Sequence, residues 1–267
     1  AYLLRYENIA WYEDGCVRIL DRRVYPGEVR FCACRTHGEV AEAITRMVTQ
    51  SYGPFHAACM GMALAAYECR DRSGRDQLAF LQAAADRLST ARPTTERKMR
   101  LWTDGCERAA QAAIAAGESA AKAIMQDSLQ RFDQRYERIA RIGRYLAERV
   151  PAGGAVMTQC YGDADVGMLL RALRESGKGD VRFFCPETRP YLQGARLTAS
   201  VIADMGFSVT LITDNMPAWT LKTQGVDVFT SAADVISLDG HVVNKVGTFQ
   251  IALAADALGV PYYVTGN

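Results

Sequence analysis

Cys185–Ala199 reads CPETRPYLQGARLTA and is preceded by the apolar run Val181–Cys185. A strand that runs into Pro, Glu, Thr, Arg and Pro cannot continue its ladder, because proline removes a donor and fixes the backbone. The residues after it regain helical character, so the stretch is a strand-to-helix junction. In a parallel α/β sheet such junctions line the crevice outside the carboxyl ends of the strands, where ligands bind. Arg189, Gln193, Gly194 and Arg196 place cationic and amide donors there, which suits an anionic small molecule. A surface loop with ordinary charges is the alternative reading of the same residues.

The same grammar repeats on both sides of the junction. Strands are expected at Ala155–Cys160, Val181–Cys185, Ser208–Thr213, Val226–Ser231 and Pro261–Val264, and helices at Val166–Ser176, Tyr191–Met205 and Asn244–Leu258. Apolar runs separated by helices predict a parallel sheet covered on both faces. The clearest boundary is Pro151-Ala152-Gly153-Gly154. Residues 151–267 are therefore expected to form a Rossmann-like α/β domain. Residues 1–150 are read as a mostly helical domain opened by a small antiparallel hairpin. In that hairpin, Ile9–Tyr12 and Cys16–Leu20 flank the turn signal Asp14-Gly15. Helices follow from Thr36, over Ala57–Tyr67, over Asp76–Leu88, and in two long runs, Thr95–Ala116 and Glu118–Val150. The last carries Ile124, Leu129, Phe132, Tyr136, Ile139, Ile142 and Leu146 as an amphipathic stripe with both charge signs opposite, a packing face and not a membrane surface.

Composition narrows the function classes. Lys plus Arg number 31 against 30 Asp plus Glu, so no global field favours nucleic acid or an acidic membrane as partner. No apolar run reaches the roughly 18 to 20 residues of a membrane span, and no signal-peptide pattern opens the chain, which makes the cytoplasm the expected location. The eight cysteines include no CxxC pair, and Cys32 and Cys34 are read as pointing to opposite faces of a strand. With three histidines, none beside a cysteine pair, no structural metal is expected. Neither GxxxxGK[ST] nor GxGxxG occurs, so no nucleotide cofactor is indicated.

If the five strands are parallel, Cys160, the Glu187–Arg189 loop, Asp214-Asn215 and Asp234 meet at one sheet edge. A thiol and a carboxylate facing one carbon can move a proton when their environments set their pKa values apart. The apolar residues Val235–Leu238 are expected to desolvate Asp234 and raise its pKa; a capping or turn aspartate is the alternative. An inert buried thiol is the alternative for Cys160. Asn244 and Lys245 open a helix whose backbone donors suit phosphate or sugar oxygens. Arg92 is a further anion clamp or a helix-boundary arginine.

Five motifs together resemble one family. They are ARPT (Ala91–Thr94), ETRPYLQGARLTA (Glu187–Ala199), TDNMPAW (Thr213–Trp219), AAD (Ala232–Asp234) and NKVGTFQIAL (Asn244–Leu253). In this spacing they resemble the methylthioribose-1-phosphate isomerases, relatives of ribose-1,5-bisphosphate isomerases and of the regulatory subunits of initiation factor 2B. The resemblance implies a cofactor-free aldose–ketose isomerase of the methionine salvage type, a phosphorylated pentose as substrate, and a homodimer. It implies Cys160 and Asp234 as catalytic residues, and Arg92, Gln193, Asn244 and Lys245 as substrate-binding residues. Substrates with a 5-deoxy or 5-phosphate group, or a non-catalytic sensor of sugar phosphates or nucleotides, are the other functions compatible with it. The chain departs from the family at Gln50–Pro54, where an Arg-Gly-Ala-Pro loop is usual. It also departs in the shorter segment after Cys160 and at Asp239-Gly240-His241, where Asn-Gly-Asp is usual. The family also continues past the point where this sequence stops, which suggests a truncated C-terminus.

Overall fold

The computed structural model describes residues 1–266. The chain divides into two compact units, Arg5–Arg135 and Ala1–Leu4 together with the residues from Tyr136 onward.

In the Arg5–Arg135 unit, β1 (Ala10–Glu13) and β2 (Cys16–Leu20) form the expected hairpin, with Glu13 paired to Cys16 around Asp14-Gly15. A third strand, β3 (Phe31–Cys34), pairs antiparallel with β2, so the hairpin grows to a three-stranded sheet. Cys32 and Cys34 share a face of β3, their Sγ atoms 4.0 Å apart. The opposite-face expectation fails because strand side chains alternate at every residue, so alternate residues coincide. The helices are α1 (His37–Thr45), α2 (Gly53–Glu68), α3 (Gly74–Thr90) and α4 (Glu96–Ala115), followed by the start of α5 (Ala120–Arg149). Thr36 caps α1 by accepting from the Glu39 N–H, and Ser73 caps α3 from Asp76.

The centre of this unit is α2, which is apolar all round and buried all round. It packs against β1, α1, α3 and α4. Met60, Met62 and Leu64 are fully buried, each stabilising by about 1.5–3 kcal/mol relative to exposure. Gly61 permits the close approach: a Cβ there would lie 3.0 Å from both Leu88 and Val40.

The second unit holds a five-stranded sheet in the order β10-β7-β4-β5-β6, every neighbouring pair parallel. The strands are β4 (Ala155–Met157), β5 (Arg182–Pro186), β6 (Ser208–Ile212), β7 (Val228–Ala232) and β10 (Tyr262–Thr265). The intervening helices are α6 (Ala164–Glu175), α7 (Ala199–Asp204), α8 (Pro217–Thr223) and α9 (Thr248–Ala257), with one π turn at Gly194–Thr198 ahead of α7. The chain steps outward from β4 to β5 and β6, then returns to the other side of β4 with β7. That reversal makes the carboxyl ends of β4 and β7 the topological switch point, where a crevice opens. A small antiparallel pair, β8 (Val235–Ile236) and β9 (Val242–Val243), projects beyond β7 and was not expected from the sequence. The carboxyl half of α5 packs so closely on α6 that a Cβ at Gly143 would meet the Met168 carbonyl at 2.7 Å.

Candidate active site

Cys160 follows β4 and Asp234 follows β7, so the two fall at the switch point between neighbouring parallel strands. The turn after Cys160 lies against the end of β7: a Cβ on Gly162 would sit 3.4 Å from the Ala232 Cβ. Cys160 is half-buried and has φ +61°. Its backbone is gripped on both sides by the Cys185–Ala199 stretch. The Cys160 N–H donates to Thr188 Oγ1 at 3.2 Å, and the Thr198 hydroxyl donates to the Cys160 carbonyl.

That stretch is held in turn by Asp214. Its carboxylate accepts from the Thr188 N–H at 2.8 Å and from the Arg189 N–H at 2.7 Å. The Gln250 side chain donates to the Asp214 carbonyl, tying α9 to the same point. Thr188 is wholly buried and also left-handed, with φ +63°. Gly194 fits only because it lacks a Cβ, which would collide with the Pro186 carbonyl. Among the described residues of this unit, four non-glycine residues have positive φ: Cys160, Asp163, Thr188 and Leu192. All four lie in the loops leaving β4 and β5. Each such residue costs on the order of 1–3 kcal/mol and persists only where its surroundings over-determine it, a pattern concentrated at functional sites.

The other residues expected to bind substrate occupy the same sheet edge, with one exception. Gln193 is buried within the loop, its Oε1 without a hydrogen-bond partner among the described residues. Asn244 and Lys245 sit on the turn before α9, where Asn244 Nδ2 donates to Thr248 Oγ1 at 3.1 Å. Lys245 Nζ lies 5.8 Å from the centre of the Tyr191 ring, two residues from Gln193. Arg92 belongs to the Arg5–Arg135 unit, where it precedes the 3-10 turn Pro93–Thr95.

Two expectations need correction. Asp234 is exposed, and the apolar residues after it do not desolvate it: Val235 and Ile236 are each 52 % exposed on the projecting β8–β9 pair. Runs of two apolar residues on so small a ribbon have too little sheet beneath them to bury the neighbouring carboxylate. The helix expected from Asn244 begins only at Thr248, because Gly247 is left-handed with φ +98° and cannot continue a right-handed helix; Arg189, for its part, has an exposed side chain, and its loop is anchored through the backbone N–H to Asp214.

Chemistry separates the two thiols of the region. Cys185, wholly buried on β5, accepts a hydrogen bond from Thr158, and burial pushes its thiol up to about 12. It is inert as a nucleophile at neutral pH. Cys160 is the accessible one, set on a strained turn between backbone anchors. In the Arg5–Arg135 unit, two cations brace the Gln50–Pro54 loop: Arg22 is fully buried and donates from Nη1 to the Gln50 carbonyl at 2.6 Å, while Arg135 lies 3.3 Å from the Tyr52 ring centre. Among the described residues no cluster of His, Cys, Asp and Glu is placed to hold a metal ion. No helix among them is long and apolar enough to cross a membrane.

Residues 56–267 match the model of the initiation factor 2 subunit family. The methylthioribose-1-phosphate isomerase of Syntrophotalea carbinolica is 35 % identical over 95 % of this chain and 76 % of its own length. That of Thermotoga neapolitana is 33 % identical over 98 % of the chain and 76 % of its own length. Among solved structures, 5-methylthioribose 1-phosphate isomerase from Pyrococcus horikoshii superposes with a TM-score of 0.82 at 26 % identity, covering 98 % of this chain and 76 % of that one. The delta subunit of translation initiation factor eIF-2B from A. fulgidus gives 0.79 at 28 % identity, covering 97 % and 77 %.

Proposed function

Because the chain belongs to the initiation factor 2 subunit family, we propose that it works as an isomerase branch member of that family, an aldose–ketose isomerase. Its substrate is a 5-substituted ribose 1-phosphate, methylthioribose 1-phosphate or a close analogue, and its product the corresponding ribulose 1-phosphate. The observation that carries the reading is the strained, doubly anchored Cys160 turn at the β4–β7 switch point, in a chain 33–35 % identical to named isomerases over nearly its whole length. A binding protein has no evident use for a left-handed thiol held at both of its peptide groups.

The phosphate on the anomeric oxygen keeps the sugar ring from opening by itself, so the ring oxygen must first accept a proton. Asp234 supplies it. The hydrogen on C2 then moves to C1, with no net gain or loss of atoms. As a proton, it is taken from C2 by the Cys160 thiolate and returned to C1 through an enediol. As a hydride, it shifts directly while Asp234 assists opening and Cys160 stabilises the migrating centre. Gln193, Asn244 and Lys245 bind the sugar phosphate, with Arg92 as a further phosphate ligand. The exposed apolar residues of β9, α9 and the turn between them, Val243, Val246, Phe249 and Leu253, support a second copy of the chain as partner, and light scattering reads that homodimer directly. A cytoplasmic location completes the proposal.

A second reading, a non-catalytic sensor of sugar phosphates, is favoured by one observation: the comparable superposition on the eIF-2B delta subunit. Thermal-shift screening against pentose 1-phosphates, followed by an assay for ketose formation, separates the two. Conversion supports the isomerase; binding without conversion supports the sensor.

A further inference from the structure

Gln159 immediately precedes Cys160 and has no place in the expected site. Its side chain is 4 % exposed. Nε2 donates to the Val246 carbonyl at 3.1 Å, which spans from the end of β4 to the turn before α9. The assignment of nitrogen and oxygen follows from the partner: a carbonyl accepts, so the carboxamide must turn its NH2 toward Val246. The turn is shaped around this side chain. A Cβ on Gly247 would lie 2.8 Å from Gln159 Nε2, and Gly247 has φ +98°, a conformation that favours glycine. The Val246 side chain is 75 % exposed, so it contributes no apolar anchor of its own. Asn244 and Lys245 stand on this turn, and Cys160 is covalently next to Gln159.

We propose that Gln159 is a positioning residue that locks the Asn244–Gly247 turn to the Cys160 turn, so that the ligand-binding side chains and the thiol hold one geometry. The proposal rests on the isomerase reading for its kinetic consequences, but the lock itself has a readout that needs no turnover. A misplacement of about 1 Å between a ligand grip and a reacting group can cost on the order of a hundredfold in rate. Loss of the lock therefore appears in both kinetic parameters, because it loosens the ligand turn and the thiol turn together.

Gln159→Met keeps the length and bulk of the side chain but has no donor. Gly247→Ala attacks the same contact from the other side. Each is measured for kcat and KM with methylthioribose 1-phosphate, alone and combined, and for the rate at which iodoacetamide alkylates Cys160, read by peptide mass. The expected result is at least a tenfold rise in KM and at least a fivefold fall in kcat for each single variant. The double variant should match the worse single one within threefold, since one contact is broken once. Cys160 alkylation should change at least threefold in each single variant and no further in the double. Values within twofold of the unchanged protein, a fall in kcat with KM untouched, or effects that multiply in the double variant would overturn the lock. If Gln159→Met does not fold, Gly247→Ala with Gln159→Asn, one methylene too short to reach, carries the same comparison. If the unchanged protein converts no sugar phosphate, the isomerase reading fails while the alkylation rates still decide the lock: a shared, non-additive change supports it and unchanged reactivity refutes it.

Discussion

Replacing Asp214 tests how the loop after β5 serves the thiol. The carboxylate accepts two backbone N–H bonds, from Thr188 at 2.8 Å and Arg189 at 2.7 Å, and Thr188 in turn accepts the Cys160 N–H. Hydrogen bonds to a charged group contribute about 1.5–3 kcal/mol each, and Asp214 is half-exposed, which points to the lower end. Asp214→Asn keeps one acceptor and turns an NH2 toward the other backbone donor. It loses about 1.5–2 kcal/mol, and kcat/KM should fall roughly 10- to 30-fold, at about 1.4 kcal/mol per factor of ten. Asp214→Ala loses both bonds and strands the Thr188 N–H, a wholly buried group, so about 3–4 kcal/mol and a fall of more than a hundredfold follow. Steady-state kinetics with methylthioribose 1-phosphate, beside thermal melting to separate local from global loss, gives both numbers. An alanine variant within twofold of the unchanged protein would refute the claim that this loop holds the Cys160 turn.

Three further outcomes follow from the same contacts. Gly143→Ala should destabilise by about 1–3 kcal/mol in urea titration, because the new Cβ meets the Met168 backbone, which cannot rotate away. His56 is buried, and burial first, then the Arg135 and Arg22 guanidiniums, hold its pKa well below 6.5, so it stays neutral in the fold while the unfolded chain takes up a proton. Its contribution is fully present above about pH 6.5 and is lost below it, at up to about 1.4 kcal/mol per pH unit, and urea midpoints at pH 7 and 5.5 should show that slope reduced in His56→Phe. Brief iodoacetamide treatment at pH 8 should modify Cys160 and spare Cys185, whose thiol is buried and pushed up to about 12; equal modification of the two would contradict their assigned environments.

The parallel sheet was legible because its strands are short apolar runs bounded by helices, and Asp14-Gly15 marked the first hairpin at the observed pairing. The β8–β9 pair was not, since two-residue strands leave no period to read. That miss carried a second one: Val235 and Ile236 look like the wall of a buried pocket in sequence, yet stand in solvent beside an exposed Asp234. Within the site, Cys160 and its strand-end position could be placed from the apolar run before it. The residues that hold it could not. Thr188, Thr198 and Asp214 act through backbone groups 28, 38 and 26 positions away, and such bonds leave no local pattern. Gln159 had a visible signal only in hindsight, a polar residue at the buried end of a strand facing a glycine 88 positions later. The arginines of the loop after β5 are conspicuous in sequence by their charge, whereas the loop is fastened through the Thr188 and Arg189 N–H groups.

The proposed mechanism assigns the aldose–ketose isomerisation to Cys160 and Asp234. The most direct measurement is ketose formation from methylthioribose 1-phosphate by the unchanged protein, by Cys160→Ser and by Asp234→Asn, each shown by thermal melting to be folded. Turnover in the first and its loss by at least a thousandfold in both variants is the predicted result. Turnover retained in either folded variant, or none in the unchanged protein, would contradict those roles.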